Sequence, residues 1–336
     1  MSLSGLHQAS LRIPGLDELA EKGISNGLLL NCIKPVQPFA IAAIANPDQT
    51  LVVVTATTRD AEDLISVLSS IRPDLRTEIF PSWETLPHEK LSPSRDVVGR
   101  RLALIHQLKN DPEQFAVIAV PLRSLLQPFA ANLGEHPPVE ISVGSELSIN
   151  GLVTNLIGLG YERVDLVERR GQVAVRGGIV DVFSPVDDHP IRIEFFGDCV
   201  EELRKFNVAD QRSIKDIVTE LVAPPCRELL ITNEVRLKAQ ELIATQPLLA
   251  QSLQAIADGR MVEGMESLAP LLTGKMQSIV ELLPKKSSIV LIEPERIRSR
   301  AEDLIATSEE FLKATWSVAA TGGDTPLDLG LSSFRS

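Results

Sequence analysis

Aromatic residues make up only 4% of this 336-residue chain, so its core must be filled by aliphatic side chains. Cysteine is scarcer still. Cys32, Cys199 and Cys226 stand alone, with no CxxC and no Cys/His spacing that would hold zinc. An odd, low count fits a reducing compartment. Positive charge is outnumbered: 33 Lys and Arg against 45 Asp and Glu give a net charge of −12. That argues against broad contact with a phosphate backbone and leaves room only for a small basic patch. The most apolar early run, residues 27–45, is broken by Lys34, Pro35, Gln37 and Pro38 and does not read as a membrane span. The N-terminus has no signal-peptide pattern, so the expected location is cytoplasmic, with no membrane partner. No segment repeats at a fixed period, and none is of low complexity.

Phosphate-binding signatures are missing too. A P-loop needs glycines whose backbone N–H groups wrap phosphates, followed by Lys and Ser or Thr. The one Gly-Lys pair, Gly274-Lys275, has Ala269 where the first glycine belongs and Met276 where the hydroxyl belongs. After residue 23 the chain reads ISNGLLLNCIKPVQPF, with a single glycine and no GK[ST]. Neither GxGxxG nor GxSxG occurs. None of the five histidines, His7, His88, His106, His136 and His189, lies near a Cys or Ser in a catalytic pattern. His106 reads as core or surface filler. Asp187-Asp188 falls in a predicted turn and reads as solvated, and Arg100-Arg101 and Arg169-Arg170 read as salt-bridged or solvated pairs. No catalytic, cofactor or metal residue is expected.

What is present is an alternation of strands and helices. Length alone favours about two domains. Residues 12–45 predict two helices, one started by Pro14 and one over Pro38–Pro47. Leu51–Val54 predicts a buried parallel strand, Thr58–Ile71 an amphipathic helix, and Thr77–Phe80 a strand. Asp96–Leu108 predicts a helix, Phe115–Val120 a strand, and Pro121–Phe129 a helix with proline in its first turn. The texture changes near Gly134–Pro138. Val139–Val143 predicts a strand and Glu146–Gly158 a helix closed by Gly160. An antiparallel region follows, with Ser213–Val222 open between helix and strand and Pro224-Pro225 as its close. Residues 232–283 are helical in pattern, Lys286–Glu293 predicts a buried strand, and Pro294–Ile305 a helix. The expected layout is a discontinuous parallel α/β domain over 1–130 and 222–336, interrupted by an inserted α+β domain over 135–221.

Within the antiparallel region, Val173, Val175, Ile191, Ile193 and Phe195 take the odd positions of half-buried strands. The opposite face carries Arg176, Arg192, Glu194 and Phe196. Two readings fit. The set is a docking surface, since Arg and aromatics concentrate in binding hot spots. Or it is a charged outer face beneath a helix of the same domain, with Phe196 as core.

Two further blocks, FPSWETLPHEKLSPSRDVVGRRLALIHQL from Phe80 and GYERVD…RGQVAVRGGIVDVFSP…IRIEFFGDCVEEL, resemble the N-terminal region of the bacterial transcription-repair coupling factor, Mfd, and the related excision-repair protein UvrB. The first block is specific to the coupling factor; RGGIVDVF and IEFFGD are shared. The resemblance implies a RecA/P-loop-like α/β domain without a functional P-loop, carrying an inserted domain that docks onto UvrA. It places the contacts on Arg163, Arg176, Arg192, Glu194 and Phe196, largely the outward set. In that reading Arg176 and Arg192 anchor acidic groups of UvrA, Glu194 orients an arginine or accepts from the partner, Phe196 fills an apolar pocket, and Arg163 adds a rim charge. UvrB-like sequences often have a further Arg where this chain has Ala174. No aromatic-rich insertion of the kind UvrB uses on damaged DNA stands between Trp83 and Asp96.

The resemblance further implies that RNA polymerase and DNA are reached only through domains downstream of this fragment, that ATP serves a motor there, and that the docking face is masked until that motor engages. The terminal LGLSSFRS lacks tail character, so a longer protein is expected to continue past it. Two rivals stand beside the non-enzymatic docking module: a nucleotide hydrolase with a diverged phosphate loop, and a DNA-binding module. The missing Lys and hydroxyl weigh against the first, and the negative charge and absent hairpin against the second.

Overall fold

The apolar run Leu51–Val54 lies in the interior of a parallel sheet, where both faces of a strand are covered and no alternation is needed. A computed structural model of the protein describes residues 3–24, 27–85, 91–111 and 115–319. His88 and the terminal LGLSSFRS lie outside them. The chain opens with α1 (Ser4–Ser10), α2 (Leu16–Lys22) and α3 (Gln37–Ile44). There follow β1 (Leu51–Thr55), α4 (Thr58–Ile71), β2 (Thr77–Ile79), α5 (Arg95–Asn110), β3 (Val117–Pro121), α6 (Leu122–Leu126) and β4 (Phe129–Ala130). The antiparallel region contains β5 (Val139–Ser142), α7 (Ile149–Gly158), β6 (Glu162–Arg163), β7 (Gln172–Arg176), β8 (Ile179–Phe183), β9 (Ile191–Phe196), β10 (Cys199–Phe206), β11 (Ser213–Ile217) and β12 (Glu220–Ala223). The remainder is α8 (Asn233–Leu242), α9 (Ala250–Ala257), α10 (Ala269–Leu272), β13 (Met276–Gln277), β14 (Ser288–Leu291) and α11 (Pro294–Ala319).

The parallel sheet has the order β14-β1-β3-β2, so its strands come from both ends of the chain. Leu51 and Val53 pack on one side with Ile41 of α3 and Leu64 and Leu68 of α4. Val52 and Ile118 pack on the other with Leu102 and Ile105 of α5. The expected bounds of α4 hold because its start is capped: Thr57 Oγ1 accepts from the Asp60 amide at 3.2 Å. The second sheet, order β11-β10-β9-β8-β7-β6, is antiparallel except for the β6–β7 pair. A two-stranded ribbon of β5 and β12 lies beside it, and Ser213–Val222 resolves as two strands.

Three expectations need correction. The helix expected over Pro121–Phe129 spans only Leu122–Leu126, and Pro121, with ψ 143°, is the extended last residue of β3 just before it. Phe129-Ala130 leaves the helix altogether to pair with Met276-Gln277, inside a stretch read as helical throughout. And β14 is not a buried strand. It is an edge strand whose Ile289 and Leu291 are half-exposed.

Helix α5 is the seam between the two sheets. Its Arg101 is fully buried, donates from Nε to Glu228 Oε1 (2.5 Å) and from Nη1 to the Pro81 carbonyl (2.8 Å), and lies 4.3 Å from the Phe80 ring. Trp83 Nε1 donates to the same Glu228 oxygen at 2.7 Å. Gly99 leaves space for Pro185 of the β8–β9 connection, which a Cβ would overlap. Arg95 Nη1 donates to the Gly171 carbonyl just before β7 at 2.8 Å. Phe80, Trp83, Arg95, Gly99 and Arg101 are therefore wall and fastening for the antiparallel sheet.

Candidate protein-docking face

Period-two alternation gives the six-stranded sheet one apolar face. Val173, Val180, Val182, Ile191, Ile193, Val200 and Leu203 bury against Leu152, Val153 and Leu156 of α7. Helix α7 is thereby spent on the inner face. Two tight hairpins fix what the outer face displays. Arg176 and Ile179 flank Gly177-Gly178, and Phe196 and Cys199 flank Gly197-Asp198. Gly177 and Gly197 take φ of 62° and 64°, the positive region that primed hairpin turns demand. Since Ile179 opposes Glu194, both turns sit at one end of the sheet. Arg176, Glu194 and Phe196 are thus brought together there.

Phe196 is 80% exposed, which sets aside the reading of it as core beneath a helix. The other end of the outer face is closed. Val167, Ala174, Phe183 and Phe206 form a small cluster with Val164 and Val208. Ala174 is buried in it, opposite Asp181, so an arginine there would need this cluster to open.

Between the two ends stands Asp181, only 1% exposed. Arg192 Nε donates to its Oδ1 (2.7 Å) and Arg192 Nη2 to its Oδ2 (2.9 Å), a fork-on-carboxylate pair. Arg176 Nη2 donates to Oδ2 from the neighbouring strand at 2.6 Å. The carboxylate raises the Arg192 guanidinium above its ordinary value, outweighing the opposing effect of burial. Arg192 also stacks 4.7 Å from the Phe206 ring. On β10, Glu202 and Arg204 form an ion pair opposite Glu194 and Arg192.

The five expected contact residues do not all share this face. Arg163 is exposed on edge strand β6 but opposes Val173, whose row faces the core. Asp181, Glu202 and Arg204 were missed, although extending the same alternation across β8 and β10 picks out all three.

A second concavity lies where open α/β sheets usually take ligands, at the carboxyl ends of adjacent strands whose connections diverge. Thr55 of β1 and Glu293 after β14 line a cleft of about 270 Å³. Its two cations are already paired internally: Asp60 receives Lys34 Nζ at 2.9 Å and Arg296 Nη2 at 3.0 Å, and Glu293 accepts from Arg296 at 3.2 Å. Although burial works against it, hydrogen bonds from Thr57, Lys34 and Arg296 hold the Asp60 carboxyl down at about 2. Among the described residues no group of three or more His, Cys, Asp or Glu could hold a metal ion, and no helix is long and apolar enough to cross a membrane.

The UvrB interaction domain family matches residues 139–226, a stretch that contains all five expected contacts and Asp181. A transcription-repair-coupling factor of Mycobacterium tuberculosis is 40% identical over 99% of this chain and 29% of its own length. That of Haemophilus influenzae is 29% identical over 79% of the chain and 24% of the relative, and that of Escherichia coli 35% identical over 40% and 12%. The chain thus spans less than a third of the length of these curated relatives. Residues 139–226 thus match the UvrB interaction domain family, and nearly the whole chain is similar to a part of the transcription-repair-coupling factors.

Proposed function

We propose that this chain recruits UvrA to stalled transcription sites for nucleotide excision repair, by protein–protein docking and without catalysis of its own. The observation that carries the reading is Phe196, a large aromatic left exposed beside Arg176 and Glu194 on the uncovered end of a rigid sheet. An exposed aromatic rimmed by charge is the composition of an interface hot spot. Phe196 fills an apolar pocket of UvrA, Arg176 meets an acidic group, Glu194 accepts from or orients an arginine, and Arg163 contributes charge from the edge. Arg192 stands on the same face, paired with Asp181. The cleft at the parallel sheet supports a scaffold role for the α/β body, because its cations are already held by Asp60 and Glu293. RNA polymerase, DNA and an ATP-driven motor belong, in this proposal, to further domains of the relatives.

The test is affinity for UvrA after Arg176→Ala plus Phe196→Ala. Loss of a hot-spot aromatic and arginine costs about 2 kcal/mol or more, so Kd is expected to rise about 30-fold or more. Unchanged affinity in a folded variant refutes the proposal.

A further inference from the structure

We infer that Asp181 is the positioning residue of this face: it holds Arg176 in its binding geometry and keeps Arg192 as a brace rather than a contact. The inference rests on the docking role proposed above and redistributes the work within it.

The two arginines differ in what they have left to offer. Arg192 gives both Nε and Nη2 to Asp181, points Nη1 at the Gln211 carbonyl (3.4 Å), and lies over the Phe206 ring. Its side chain is only 15% exposed. Arg176 gives Asp181 a single Nη2 hydrogen bond and remains 47% exposed. A guanidinium has five N–H donors. Arg176 therefore keeps donors for a partner carboxylate, while Arg192 is spent internally. Asp181 is reached from both sides because Arg176, on β7, and Arg192, on β9, flank β8. A buried carboxylate bridging both side chains removes the rotamer freedom that a long arginine otherwise loses on binding. The partner such a face fits presents one acidic group to Arg176 and an apolar pocket to Phe196.

Charge alone and positioning predict opposite signs for one substitution. Asp181→Asn removes a negative charge from the face and leaves it more cationic. If the arginines act only as charges, an acidic partner binds the variant more tightly. If Asp181 positions them, affinity falls about tenfold, with the loss in dissociation rate, while association is unchanged or faster at low salt.

The decisive measurement is a double-mutant cycle on UvrA binding by the full chain, with melting curves recorded for every variant. Positioning predicts that Asp181→Asn costs little once Arg176→Ala is present. Additive losses, or wild-type or tighter binding by Asp181→Asn alone, overturn the inference. Should Asp181→Asn fail to fold, Asp181→Leu with Arg192→Met replaces the buried pair by apolar groups, a change that cores often accept. That variant is expected to bind about tenfold more weakly, with Arg176→Ala adding nothing further. Binding equal to wild type, or a full additional loss from Arg176→Ala, overturns the inference there too. Failure of the docking role itself reads differently, as unchanged affinity in Arg176→Ala plus Phe196→Ala.

Discussion

Replacing Arg101 with Met tests whether α5 fastens the two sheets together. The guanidinium is fully buried and shares one oxygen of Glu228 with Trp83 Nε1. Removing one member of a buried ion pair costs about 3–5 kcal/mol, because a charge is left without its counter-ion in a medium that solvates it poorly. Trp83 stays in place at 2.7 Å and offsets part of that, which favours the lower end, about 3 kcal/mol. At about 2–4 °C per kcal/mol for a large domain, Tm should fall by about 6–12 °C. Burial of the thioether cannot restore it, since the cost lies in Glu228. Adding Glu228→Gln removes the stranded charge while keeping an acceptor for Trp83, so the double variant should recover all but about 1 kcal/mol. Urea titration followed by Trp83 fluorescence, with Trp316→Phe as background, reads both variants. A loss below about 1 kcal/mol for Arg101→Met, or a double variant no better than the single, refutes the argument.

Gly99→Ala lies mid-helix, where alanine normally stabilises by about 1 kcal/mol. Here the added methyl overlaps Pro185, so the unfolding free energy from urea titration should fall by about 1–3 kcal/mol instead, and Pro185→Ala should relieve it; stabilisation by Gly99→Ala would show that α5 and the β8–β9 connection are not in contact. Asp60 supplies a pH test. Its carboxyl drops from 3.8 to about 2 on folding, so its stabilisation is complete above about pH 4 and is lost as pH falls towards 2. With solvent screening it amounts to about 1–2 kcal/mol, and Asp60→Asn should flatten acid destabilisation in that window; an unchanged acid profile contradicts the Lys34–Asp60–Arg296 network. Native alkylation at pH 8 should modify exposed Cys32 and Cys199 and spare Cys226, whose thiol burial pushes up to about 12. Bound UvrA should slow the reaction at Cys199, which pairs with Phe196; labelling of Cys226, or no protection of Cys199, counts against the buried seam or the docking face respectively.

Local pattern carried the architecture wherever one strand or helix decides its own burial. The β-branched run at β1, the capped amphipathic helix α4 and the alternation on β7 and β9 were all legible for that reason. What escaped depends on partners distant in sequence. Helix α1 has no apolar stripe in SGLHQAS, and β4 and β13 pair across well over a hundred residues with no local signal. The half-exposure of β14 follows from its place at a sheet edge, which its composition does not record. On the docking face, the outward residues could be counted from spacing. Asp181 could be placed on that face in the same way, but not its burial between two arginines, because that requires the register of three strands. Phe80, Trp83 and Arg101, from the stretch whose resemblance to the coupling factor is most specific, serve to pack the seam, so distinctiveness of sequence and location of the site part company there.

The central claim is that the Arg176–Phe196 end of the antiparallel sheet grips UvrA. Affinity of the purified chain for UvrA at moderate salt, wild type against Arg176→Ala plus Phe196→Ala, measures it most directly. The account predicts binding by the wild-type chain and a Kd raised about 30-fold or more in a variant with an unaltered melting curve. Equal binding by the two contradicts it.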